Sequence, residues 1–122
     1  MDKLVIPMNE EELKEYEIEI NRDWWYDGTS EDKLEMLYAV KDWTCKTNNS
    51  PIKKVLAFKW VLKRNQALLV DGVLLDLYSA GVIDAVYKYL IENKKKDFFL
   101  KLFNSNIITI VNHCYKCLKK GD

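Results

Sequence analysis

Asp71-Gly72 stands between two apolar runs, Ala67-Leu68-Leu69-Val70 and Val73-Leu74-Leu75. An Asp-Gly pair in that setting is the strongest short-range hairpin signal, because a type I′ turn needs positive φ at both central residues. The spacing predicts a small β-hairpin at about residues 67–76. A lone hairpin is marginal in water, so this one must lie on helices.

Helical periodicity fills both sides of it. Leu4-Val5-Ile6, stopped by Pro7, reads as an edge strand or a tail packed on the core. Asn9 and Glu12 have the spacing of a capping box. Leu13, Tyr16, Ile20 and Trp24 then follow at helical intervals, against a competing strand alternation at Tyr16, Ile18 and Ile20. After Asp27-Gly28, Thr29 or Ser30 caps a helix with Leu34, Leu37, Tyr38 and Lys41 on one face and Met36, Val40 and Trp43 beside them. Ser50-Pro51 starts the next helix, with Ile52, Val55, Leu56 and Trp60 inward and Lys53, Lys54, Lys59 and Lys63 largely outside. Ser79 is expected to cap a helix carrying Val82, Ile83, Val86, Tyr87 and Leu90. Residues 94–103 read as a short helix with Phe98, Phe99, Leu102 and Phe103 inward, and Ile107, Val111, Cys114 and Leu118 mark the last one. The expectation is a mainly α protein: a compact bundle of five or six short helices with one small β-hairpin, forming a single domain over residues 1–122.

A formal net charge of 0 hides a division. Residues 1–45 hold 13 acids and 5 bases, net −8, and residues 46–122 hold 14 bases and 6 acids, net +8. Such fields choose partners without fixing a fold. The bland reading is that the two halves pack together and line solvated faces. The sharper readings are a basic face for nucleic acid, or an acidic face offered to a basic partner. No run reaches the ~18 apolar residues of a membrane span, and Asp2 and Lys3 before Pro7 do not read as a secretory signal. The expectation is a soluble, cytoplasmic protein with no membrane partner.

Catalytic chemistry has little to stand on. Cys114 and Cys117 form a C-x-x-C beside His113, the one histidine, with Cys45 far upstream. Neighbours at 113 and 114 diverge by about 100° on a helix, which makes a shared zinc tetrahedron awkward. A redox C-x-x-C belongs at a helix N-terminus, whereas this pair lies near a C-terminus. No nucleophile elbow, P-loop or Gly-rich dinucleotide turn is present. We therefore expect no enzyme, no cofactor and no metal site.

Arg22-Asp23-Trp24-Trp25-Tyr26 is the most unusual run. Three successive aromatics cannot all face one core from a helix, and Trp and Tyr are favoured interface anchors. The expected protein-binding surface is Trp24, Trp25 and Tyr26 with Glu10, Glu12, Glu15 and Glu19. The expected nucleic-acid alternative is Lys53, Lys54, Lys59, Lys63, Arg64, Lys94, Lys95 and Lys96, holding phosphate without reading bases.

From Ala67 to Lys119 the order of features resembles a small helical module of phage and mobile-element proteins. The residues that carry it are Asp71-Gly72, Asp76, Ser79-Ala80, Val86-Tyr87, Leu90, Asn93, Phe98 and the final apolar helix. The chain departs from that module in placing Cys114, Tyr115 and Cys117 in the last helix. No activity is assigned to the module, so no site residue carries over. The resemblance implies a virus-encoded protein of the host cytoplasm that binds a host protein, such as a nuclease or defence complex, and blocks or adapts it. The expected function is thus a small non-catalytic protein-binding module, with non-specific nucleic-acid binding as the alternative. Homodimerisation fits either.

Overall fold

The computed structural model describes residues 5–23, 36–37, 39–40 and 51–121. It is a mainly α fold: α1 (Glu10–Asn21), α2 (Pro51–Arg64), β1 (Leu68–Val70), β2 (Val73–Leu75), α3 (Leu77–Glu92), α4 (Lys96–Phe103) and α5 (Ile107–Gly121). Met36, Leu37, Ala39 and Val40 are also helical.

The capping box forms as the spacing predicts. Asn9 Oδ1 accepts from Glu12 N–H at 2.8 Å, and Glu12 Oε1 accepts from Asn9 N–H. Helix wins over the alternating pattern in α1 because Leu13, Tyr16 and Ile20 are buried while Ile18 faces solvent. The segment before α1 is a packed tail: Ile6 is buried and its N–H donates to the Ala39 carbonyl. Met36 and Ala39 are the buried pair of the next helical residues, with Leu37 and Val40 half-buried beside them, so that face is rotated from the expected one.

α2 is the axis of the molecule. Every residue from Ile52 to Phe58 is buried, because α3, α4 and β1 all pack on it. This overturns the expectation that Lys53 and Lys54 stay outside; they are 3% and 1% exposed. Lys54 Nζ lies 3.3 Å from Asp71 Oδ2, and that oxygen also accepts from Ile107 N–H at 2.8 Å. One carboxylate thus joins the middle of α2, the hairpin turn and the first amide of α5. Burial lowers the Lys54 ammonium below its ordinary range, with Asp71 opposing.

The hairpin pairs Leu68 with Leu75, Leu69 with Leu74 and Val70 with Val73. Asp71 and Gly72 have φ of 52° and 76°, as a type I′ turn requires. Leu68, Val70 and Leu75 face the core. α3 starts earlier than expected. Asp76, and not Ser79, is its N-cap, accepting from Ser79 N–H at 2.7 Å, so Leu77 and Tyr78 belong to the helix. Lys94 has φ 54°, which ends α3 and defers α4 to Lys96. Phe58, Tyr87, Phe99 and Phe103 form the aromatic centre, with Phe58 and Tyr87 edge to face at 5.2 Å and Phe99 stacked on Phe103 at 4.6 Å. Phe98 is exposed instead of inward. No helix among the described residues is long and apolar enough to cross a membrane.

Candidate protein-binding surface

The charge division is answered first within the molecule. Glu12 pairs with Arg64, and Glu19 lies 3.0 Å from Lys59 Nζ and 2.7 Å from Lys63 Nζ. Burial alone would raise the Glu19 carboxyl, but hydrogen bonds from Lys63 and Lys59 outweigh it and hold it below the ordinary range. Lys63 also sits 4.4 Å from the Tyr16 ring centre. Burial pushes the Tyr16 hydroxyl up to about 12.

These pairs redistribute the residues expected at an interface. Glu10 and Glu15 are exposed, whereas Glu12 and Glu19 turn towards α2. Trp24, Trp25 and Tyr26 lie outside the described residues. Of the basic set, Lys53 and Lys54 are interior, and Lys59, Lys63 and Arg64 are held by α1. Lys94, Lys95 and Lys96 are exposed around the turn between α3 and α4. The eight do not make one surface.

A cleft of about 280 Å³ opens where α1, α2 and α3 meet. Its carboxylates Glu19, Asp23 and Glu92 stand with the cations Arg22, Lys59 and Lys88. Tyr87 Oη donates to Asp23 Oδ2, and burial raises the Asp23 carboxyl despite that bond. Three acids against three bases present little net field to a ligand, so this cleft is a seam between helices.

The C-x-x-C offers little chemistry. Cys114 is fully buried, and burial pushes its thiol up to about 12, away from the reactive thiolate. Cys117 is half-buried. His113 Nε2 is buried and makes no hydrogen bond among the described residues; its ring lies 5.3 Å from that of Phe98. Among the described residues no group of three or more His, Cys, Asp or Glu is placed to hold a metal ion.

Several of the apolar side chains left in solvent converge elsewhere. Leu69 and Leu74, cross-strand partners on the outer face of the hairpin, are 58% and 65% exposed. Leu74, Leu75, Ser79, Ile108 and Val111 line a groove of about 120 Å³ between β2, α3 and α5. On α5, Ile108, Val111, Tyr115 and Leu118 fall on one stripe. Ile108 and Leu118 are exposed, and Val111 and Tyr115 half-buried. Tyr115 stacks on Tyr78 at 5.8 Å and 27°, and its hydroxyl lies 3.4 Å from Ser79 Oγ. Tyr78 itself is 71% exposed. Leu69, Leu74, Ile108, Tyr115 and Tyr78 therefore form a connected apolar and aromatic surface with a groove at its centre. Apolar patches of this kind mark interaction sites, and Tyr is a favoured interface anchor.

Sequence reasoning missed this surface, although a signal existed. Leu68-Leu69-Val70 and Val73-Leu74-Leu75 are apolar at every position. A hairpin with one face in water should alternate, so the middle leucine of each run had to be exposed or covered by something else. Comparison with protein-family models, curated proteins and solved structures finds no match to the chain.

Proposed function

We propose that the chain is a non-catalytic protein-binding module that works by occupying a surface of another protein. The observation that carries this reading is the connected exposed surface of Leu69, Leu74, Ile108, Tyr78 and Tyr115. The resemblance of residues 67–119 to phage and mobile-element modules makes a host cytoplasmic protein, blocked or adapted by this binding, the partner we have in view. Nucleic-acid binding has less support, because two lysines of its proposed face are buried and three bases are engaged by carboxylates.

The experiment is a tagged pull-down from host lysate with and without nuclease, comparing the parent chain with Leu74→Asp/Ile108→Asp. A partner captured after nuclease treatment by the parent and lost by the variant supports the reading. Capture that disappears with nuclease, or that the variant retains, overturns it.

A further inference from the structure

The groove beside α5 has a charge as well as a shape. α5 contains no acidic residue, and Lys116 and Lys119 are its exposed charges. On a helix, Lys119 follows Tyr115 by one turn and borders the stripe of Ile108, Tyr115 and Leu118, while Lys116 follows the groove-lining Asn112 by one turn. Asp76, the carboxylate next to Leu77, is directed at Ser79 N–H at the start of α3. The apolar line is thus edged by positive charge along α5.

We infer that this groove receives an acidic amphipathic helix of a partner protein. Its apolar side chains lie against Leu74, Ile108 and Tyr115, and its carboxylates meet Lys116 and Lys119. The inference rests on the protein-binding reading and adds the partner's chemistry. A helix fits better than an added strand. The stripe on α5 runs for about three turns, roughly 16 Å, whereas each hairpin strand has only three residues and offers few ladder bonds. A second copy of the chain fits poorly. An isologous contact sets the same lysines against themselves, and α1 offers one exposed apolar side chain, Ile18, in a head-to-tail contact that does not close.

Two capped peptides test the inference by fluorescence anisotropy with the full chain. Both carry Leu at i, i+4, i+7 and i+11; one has Glu and the other Lys at the positions flanking that stripe. The Glu peptide is expected to bind at least ~10-fold more tightly at low salt, with the difference shrinking as salt rises. Lys116→Glu/Lys119→Glu reverses the preference. Leu74→Asp/Ile108→Asp removes binding of both peptides, with the circular-dichroism spectrum and melting temperature retained. Equal affinity for the two peptides, or no binding of the Glu peptide, overturns the inference. So does sedimentation with phosphatidylserine vesicles in place of peptide binding, which assigns the groove to a membrane. Concentration-dependent self-association lost in Ile108→Asp assigns it to a second copy and overturns the inference too. If lysate capture still depends on Leu74 and Ile108 in any of these cases, the protein-binding reading survives the loss of the acidic helix.

Discussion

Lys54 occupies a position that the pattern of α2 gives to solvent, and Asp71 is what makes its burial tolerable. Removing one partner from a buried ion pair leaves an uncompensated charge and costs ~3–5 kcal/mol, whereas replacing both is often neutral. Asn is as well suited as Asp to the positive φ at position 71 and can still accept from Ile107 N–H. Asp71→Asn therefore isolates the charge, and urea denaturation should show a loss of about 3 kcal/mol. Lys54→Met/Asp71→Asn should recover most of it; a single variant as stable as the parent would show that the pair holds nothing together. The acid limb of stability has two opposed contributors. Glu19 is held below 4.5, so its contribution is complete above that value and is lost as pH falls through its folded range. Asp23 is raised above 3.8, so its contribution is present below that value and is lost as pH rises through its folded range. Glu19→Gln should flatten the fall in stability between about pH 5 and pH 3, and Asp23→Asn should steepen it, as read from denaturation midpoints across that range.

At the scale of elements, some local chemistry was readable from residues within four positions of each other. Asn9 with Glu12 and Asp71 with Gly72 are such cases, and both formed as spacing predicts. Ser79 misled because Asp76 reads as the last residue of the hairpin, while its Oδ1 reaches the Ser79 amide and draws Leu77 and Tyr78 into α3. The helix end at Lys94 carried no signal at all. There, Lys95 N–H bonds the Leu90 carbonyl at 2.9 Å and Lys94 N–H bonds that of Ile91 at 3.1 Å, a Schellman ending with lysine in the left-handed region. Glycine is the residue this conformation favours, so the sequence hides the stop. Lys94→Gly should raise stability by roughly 0.5–1 kcal/mol, since relief of the Cβ penalty exceeds glycine's greater chain entropy. A lower melting temperature in that variant would mean that the Lys94 side chain contributes more than its backbone costs.

For the whole molecule, the −8 and +8 halves were legible as amounts but not as contacts, because sequence does not say which helix lies against which. The packing of α1 on α2 resolves part of that charge internally: Glu12 with Arg64, Glu19 with Lys59 and Lys63. What stays exposed is the lysine set beyond α3, including Lys94, Lys96, Lys116 and Lys119. The same tertiary step turned Lys53 and Lys54 inward and left Leu69 and Leu74 outside, so the candidate surface emerged from residues that the sequence had placed at no interface. If the α1–α2 pairs bind the halves together, stability must depend on ionic strength. Exposed pairs contribute ~0.2–1 kcal/mol each and are screened within a Debye length of about 10 Å at 0.1 M salt. Raising NaCl from about 0.02 M to about 0.5 M should then lower stability by about 1 kcal/mol. Glu12→Gln/Glu19→Gln is the control that locates the effect, because glutamine keeps the capping-box bond to Asn9 while removing both charges. Its stability should start lower and change little with salt. Equal salt dependence in parent and variant would place the sensitivity elsewhere, and the acidic half would then be free to serve as an outward surface.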